Sequence, residues 1–348
     1  MIDPHKALDV LAAAEARRAA RRGFLKAAGG GAMLIGGASL LSACYGDYDE
    51  SGPAPTPSPS PTPSPTAAIT DVDVLNLALN LEYLEAQFYL YAVNGTGLTA
   101  AQTASGSGTA GGTVTGGAKV DFSGDRNVGA YAREIAADEL AHVVFLRQAL
   151  GSSAVAMPNI NIDGGANGAF TAAARAAGVI GQSETFNPYA SPENFLLGAF
   201  LFEDVGVTAY KGAAPLLTNK TYLEAAAGIL AAEAYHAGIV RTVLYAKGVQ
   251  TPTLITATTR ISDARDLLDG TPANDDIRGI GSDDDQGLVD SSNNANLVPA
   301  NVNAIAYSRS SQQVHNIVYL NATGANRAGG GFFPNGTNNA NASLRVGL

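Results

Sequence analysis

With 348 residues, 46% of them hydrophobic and 15% charged, the chain can bury a substantial core, while 40 glycines and 16 prolines imply long loops and at least one linker. A formal net charge of −10, with no basic stripe interleaved with aromatics, argues against nucleic acid as a partner. The single cysteine, Cys44, excludes an internal disulfide.

In chain order, Arg21-Arg22-Gly23-Phe24-Leu25-Lys26 precedes an apolar, Gly/Ala-rich stretch over 27–43 that closes on Leu41-Ser42-Ala43-Cys44. A charged start, a short apolar run and small residues before a cleavage point describe a signal peptide over 1–43, too short for a spanning helix. The arginine pair looks like a twin-arginine export signal, so the twin-arginine machinery is an expected partner. Leu-Ser-Ala-Cys resembles a lipoprotein box, which makes Cys44 the lipidated first residue of the mature chain and its anchor in a membrane. Proline then recurs at every second position from Pro53 to Pro65, so 44–69 reads as an extended polyproline spacer. The expected location is the cell envelope, on the periplasmic side. Tyr45 is not the aspartate associated with inner-membrane retention, which favours the outer membrane. His5 leaves with the signal.

From Thr70 the text turns helical, and residues 70–248 are expected to form one domain. The spacing predicts helices over about 71–93 (Leu75, Leu79, Glu82, Ala86, Tyr89, Val93) and 126–149 (Val128, Ala132, Ile135, Glu139, His142, Leu146, Ala149). A third starts at Ser191-Pro192-Glu193 and carries Leu196, Ala199, Glu203, Gly206, Tyr210 and Ala213. The fourth, over about 219–247, carries Tyr222, Ala226, Ile229, Glu233, His236, Val240 and Val243, with Gly248 as its stop. Alternating four-three spacing is the seam of a bundle with shallow crossing angles. The first and third connections are a long Gly/Ser/Thr-rich loop and a short turn. The middle one, 151–190, is long enough to cross the bundle and holds an Ala-rich helix near 170–177.

Each seam is apolar except near its middle, where Glu82, Glu139 with His142, Glu203, and Glu233 with His236 stand. Buried ions cost several kcal/mol each unless compensated, and two divalent cations balance four carboxylates and two neutral imidazoles. The Glu-x-x-His spacing puts both side chains on one helix face. Glu82, Glu139, His142, Glu203, Glu233 and His236 are therefore the expected ligands of two transition-metal ions, iron first and manganese as the variant, able to meet O2 or peroxide. Glu85, one turn from Glu82, competes for the first-helix position. Tyr89 and Tyr210 follow a ligand Glu by seven residues and are candidate catalytic residues, by hydrogen bonding to a ligand or as a redox relay; ordinary core tyrosines are the alternative. His315 has no ligand-type neighbours in sequence and is expected to be structural.

Asn80-Leu81-Glu82-Tyr83 with Tyr89, Asp138-Glu139-Leu140-Ala141-His142, and Glu233-Ala234-Tyr235-His236 resemble the ligand motifs of the ferritin-like superfamily. Leu79 to Ala86, with the tail stretches Ser308–Tyr319 and Gly330–Gly336, resembles its branch of desiccation-related and stress-response proteins. The resemblance implies an all-α, ferritin-like four-helix bundle with one long crossover, a di-metal centre and a loop-rich C-terminal extension over 249–348 that wraps the bundle. The long tail, the lipid tether and the absence of a clear short fifth helix set the chain apart from cage-forming storage ferritins, leaving a smaller homo-oligomer open. In the tail, Ser310 to Gln313 matches a capping box opening a helix through Tyr319. Asp283-Asp284-Asp285 lacks EF-hand spacing and reads as a solvated acidic loop. The expected activity is ferroxidase or peroxide-consuming, in envelope stress protection; the rival is a non-catalytic metal-binding or structural envelope protein.

Overall fold

A computed structural model of the chain describes residues 68–281, 284–321, 325 and 327–347. The signal sequence, Cys44 and the Pro-rich spacer lie outside the described residues, as does Asp283.

The four periodic segments become four long helices, each capped by local chemistry. Helix α1 (Asp71–Asn94) opens on a capping box between Thr70 and Asp73 and stops at Gly95, where φ is 78°. A short α2 (Ala100–Thr103) and strand β1 (Val114–Gly116) follow. Helix α3 (Arg126–Leu150) opens on Asp125, whose carboxylate accepts from the Val128 N–H. The crossover carries strand β2 (Ile160–Ile162) and helix α4 (Ala169–Ala176). Helix α5 (Pro192–Ala213) has Ser191 as its cap with proline in its first turn, and Asn219 caps α6 (Lys220–Gly248) after a short turn. Gly248 is the last residue of α6 rather than the stop beyond it. A side chain there would collide with Ile255 of the next element.

Helix α1 packs along α3 and α5 along α6, and the two pairs face each other to close an all-α, ferritin-like bundle. Strands β1 and β2 pair in parallel, Val114 opposite Ile160, and so tie the first long loop to the crossover. The core at this end is aromatic. Phe88 stacks on Phe195 at 5.5 Å and meets Phe202 edge-on, and Phe332 from the tail meets Phe202 at 4.9 Å and Phe170 at 5.1 Å.

The C-terminal extension holds more helix than its polar composition suggests. Helix α7 (Pro252–Asp269) packs on α6 and α5, and α8 (Ser311–Val318), opened by the expected Ser310–Gln313 capping box, packs on α7 and α5. The Asn80 side chain bonds the Asn338 backbone in both directions, at 2.7 and 2.9 Å. The reading of Asp283–Asp285 as a solvated loop is corrected for its described part: Asp284 and Asp285 are buried. Arginines distant in sequence draw them in. Arg265 bonds Asp285 at 2.7 Å and Asp204 at 2.9 Å; Arg241 bonds Asp204 at 2.7 Å; Arg309 bonds Asp269 at 2.5 Å and Asp285 at 2.8 Å. No helix among the described residues is long and apolar enough to cross a membrane.

Candidate metal centre

The four long helices bring their mid-seam polar residues to one place. Glu82, Glu139, His142 and Glu233 form one group of converging ligand atoms, and Glu139, Glu203 and His236 form a second. His142 Nδ1 lies 3.2 Å from Glu82, 3.5 Å from Glu139 and 3.6 Å from Glu233. His236 Nδ1 lies 3.1 Å from the other oxygen of Glu139 and 3.7 Å from Glu203. Glu139 is common to both groups, with one oxygen turned to each histidine. Glu85 is also buried beside them but belongs to neither group; Glu82 does. Gly206 leaves the space that a side chain would take from Glu233, since a Cβ there would sit 2.5 Å from Glu233 Oε2.

The donor atoms are short of partners. Glu82 Oε2, both oxygens of Glu139 and of Glu233, Glu203 Oε2, His142 Nδ1 and His236 Nδ1 are all buried without a hydrogen bond. Buried polar atoms are rarely left so, and leaving one unsatisfied costs about 1–3 kcal/mol. Burial and mutual repulsion push Glu139, Glu233 and Glu85 well above the ordinary carboxylate range. Glu203 is pushed up to about 8 by burial, with the Tyr89 hydroxyl pulling the other way. Burial lowers His236, whereas for His142 pairing with Glu82 outweighs burial and leaves the imidazole raised. Six carboxylate and imidazole side chains with eight orphaned donor atoms fit a pair of divalent transition ions by charge and by donor type.

Three further side chains complete the arrangement. The Tyr89 hydroxyl donates to Glu203 Oε1 and the Tyr210 hydroxyl to Glu82 Oε1, so each tyrosine serves the glutamate of the opposite helix. Both are fully buried, and burial raises their hydroxyl pKa values well above the ordinary range. Tyr210 also lines a cavity of about 690 Å³, walled on one side by Val74, Leu77 and Leu81 of α1 and on another by the polar stretch from Ser308 to Gln313, and its hydroxyl reaches from there to Glu82. Asp138 has a part that sequence reasoning missed: its carboxylate lies 3.1 Å from His236 Nε2 and aims Nδ1 inward. Its place in the Asp-Glu motif was visible, but a half-exposed acid beside a ligand carries no periodic signal. His315 is held structurally between the Ser311 carbonyl at 2.7 Å and Thr337 at 2.9 Å, and burial depresses it to about 4. Asp138→Ala is expected to weaken metal binding roughly 10–100-fold without unfolding the chain, as a competition titration against a chelator would read.

The raised acids predict how loading depends on pH. In the metal-free folded chain Glu203 keeps its proton to about pH 8, whereas an unfolded carboxyl loses it near 4.5. The folded state then binds more protons, so this contribution to metal-free stability is lost as pH rises between those values. Ligation replaces the protons. The gap in Tm between stripped and metal-loaded protein should therefore widen from about pH 5.5 to about pH 8, which differential scanning fluorimetry checks.

The ferritin-like domain family matches residues 70–246 of this chain. The chain is 28% identical over 279 residues to a protein named ferritin-like catalase Nec2 from Nesocodon mauritianus, covering 77% of this chain and 83% of that one. It is 30% identical over 208 residues to the desiccation-related protein PCC13-62 of Craterostigma plantagineum, covering 57% of this chain and 62% of that one. No solved structure matches. A bundle that carries one seam of acids and histidines on four helices, together with a family match over half its length, makes this chain a member of the ferritin-like domain family.

Proposed function

We propose that Glu82, Glu139, His142, Glu203, Glu233 and His236 hold two divalent transition ions, iron before manganese, and that the protein consumes peroxide. The observation that carries this reading is the set of eight buried donor atoms without partners gathered around Glu139. When bound, such an ion pair supplies redox cycling in steps of two electrons. The protein's own residues do the rest. Glu139 fixes the two ligand sets side by side, and Asp138 orients His236. Tyr89 and Tyr210 hold a proton at Glu203 Oε1 and Glu82 Oε1, next to the reacting space. The cavity beside Tyr210, walled on one side by Val74, Leu77 and Leu81, has room for a small neutral molecule such as hydrogen peroxide next to that side chain. The name of the catalase-like relative supports the same chemistry. Disproportionation needs no outside reductant, because two peroxides yield two waters and one dioxygen.

Oxygen evolution from hydrogen peroxide by the metal-loaded protein, followed with an oxygen electrode, tests the reading. Sustained turnover supports it. Aerobic oxidation of Fe2+ without oxygen evolution would reassign the centre as a ferroxidase, and stoichiometric, inert metal retention would make it a binding or structural protein. The location is part of the proposal and rests on the sequence before Thr70: twin-arginine export, with Cys44 carrying the lipid that fixes the protein to the envelope membrane. Labelling with palmitate in a bacterial host should be lost in Cys44→Ala; labelling that survives contradicts the anchor.

A further inference from the structure

The cavity beside Tyr210 is far larger than hydrogen peroxide needs. It measures about 690 Å³, whereas a molecule the size of water takes about 30 Å³. Small organic ligands are held in cavities of this size. One wall is aliphatic and comes from Val74, Leu77, Ala78 and Leu81 of α1, with Ala213 and Leu216 from the end of α5 and the turn beyond it. Another wall is polar and comes from the first turn of α8, where backbone N–H groups lie at the positive end of the helix. Gln313 is buried in that wall. Its Oε1 accepts from the Ser310 N–H at 2.8 Å, and its Nε2 has no hydrogen-bond partner.

Two cations stand at the same edge. Arg278 lines the cavity, and Lys211 of α5 donates to the Ser308 hydroxyl at 2.7 Å and to the Arg278 carbonyl. Neither side chain is in an ion pair among the described residues. Burial and the repulsion of Arg278 hold the Lys211 ammonium below its ordinary range, with Asp275 pulling the other way. Asp269 is the one acid among the lining residues, and Arg309, which also lines the cavity, bonds it at 2.5 Å.

We propose that this cavity binds one small organic monocarboxylate with an aliphatic chain. The chain lies against Val74, Leu77 and Leu81, and the carboxylate lies between Arg278, Lys211 and the first turn of α8. The wall dictates the body of the ligand, since Tyr210 is the only aromatic ring in the lining and the other apolar side chains are aliphatic. The edge dictates the head. Cations without carboxylate partners and the positive end of a helix favour an anion, and a carboxylate brings two acceptor oxygens to guanidinium, ammonium and N–H donors alike. Bound there, the acid rests on Tyr210, whose hydroxyl donates to Glu82. The site stands apart from the metal reading, because none of the six proposed ligands lines the cavity.

Calorimetry on the full chain, with no peroxide present, compares octanoate, octanol and butyrate. Octanoate should bind at one per chain with a Kd of about 0.1 mM or tighter. Octanol, which lacks the charge, and butyrate, which lacks the chain, should each bind at least about tenfold more weakly. Arg278→Gln should weaken octanoate roughly tenfold and leave octanol unchanged, whereas Ala78→Phe, which fills the aliphatic slot, should remove both while the circular dichroism spectrum is kept. Three results overturn the proposal. One is the absence of heat with octanoate at millimolar concentration. Another is uptake of several octanoates per chain that neither variant reduces, which is adsorption to the surface. The third is a benzoylphenylalanine at position 77 that cross-links to residues 44–67 of its own chain, which hands the cavity to the segment upstream of Ile69. Failure here leaves the peroxide reading standing, and a lack of oxygen evolution leaves this site standing.

Discussion

Glu139→Gln is expected to empty the centre of both ions rather than one. Glu139 is the one residue that the two ligand groups have in common, with Oε1 turned to His236 at 3.1 Å and Oε2 to His142 at 3.5 Å. An amide keeps the shape of the side chain but is a poor ligand and carries no charge. Transition metal in the purified protein should fall from about two per chain to well below one, and peroxide turnover by roughly two orders of magnitude or more. Elemental analysis and the oxygen electrode read the two effects. The same variant makes a less intuitive prediction about stability. Without metal, the wild-type chain buries Glu139 among Glu233, Glu82, Glu85 and Glu203, whose charges oppose one another. Removing one acid relieves that repulsion, so at about pH 8 stripped Glu139→Gln should melt above stripped wild type. A polar side chain kept only for packing would give the opposite order.

The largest loss of stability is expected far from the metal ligands, in Arg309→Met. Arg309 is fully buried, and its guanidinium bonds Asp269 at 2.5 Å, Asp285 at 2.8 Å and the Thr208 hydroxyl at 3.1 Å. Methionine replaces the volume but leaves two carboxylates in the interior without that partner. Removing one member of a buried ion pair costs about 3–5 kcal/mol, which for a domain of this size lowers Tm by roughly 6–20 °C. Chemical denaturation monitored by circular dichroism gives the first figure and a thermal scan the second. A change below about 1 kcal/mol would mean that the network contributes little beyond surface pairing.

The bundle and its polar centre were legible because one pattern carried both. Four-three spacing marked the seams, and Glu82, Glu139, His142, Glu203, Glu233 and His236 broke those seams at matching depths. The same reasoning could not separate Glu82 from Glu85, since both are buried on one face of α1; only the positions of the other three helices decide which carboxylate meets His142. The bonds from Tyr89 to Glu203 and from Tyr210 to Glu82 cross between helices and have no local signal. Helix α7 was invisible for a physical reason. Its buried face includes Thr258, Ser262, Arg265 and Asp269, so the hydrophobic period that reveals an amphipathic helix is absent. Ser262, Arg265 and Asp269 are buried because Asp204, Asp285 and Arg309 reach them from other parts of the chain, and Asp284 and Asp285 leave the solvent for the same reason. Long-range charge pairing is what a reading by local period leaves out.

The central claim is that the oily interior of the bundle keeps four acids and two histidines because metal ions sit among them. Anomalous diffraction at the iron and manganese edges, from crystals of protein purified with its metal retained, addresses it directly. The account predicts two peaks, one between Glu82 and His142 and one between Glu203 and His236, with Glu139 touching both. Crystals of metal-supplied protein without an anomalous peak, in which the same carboxylates bind only water or share protons with one another, would contradict it.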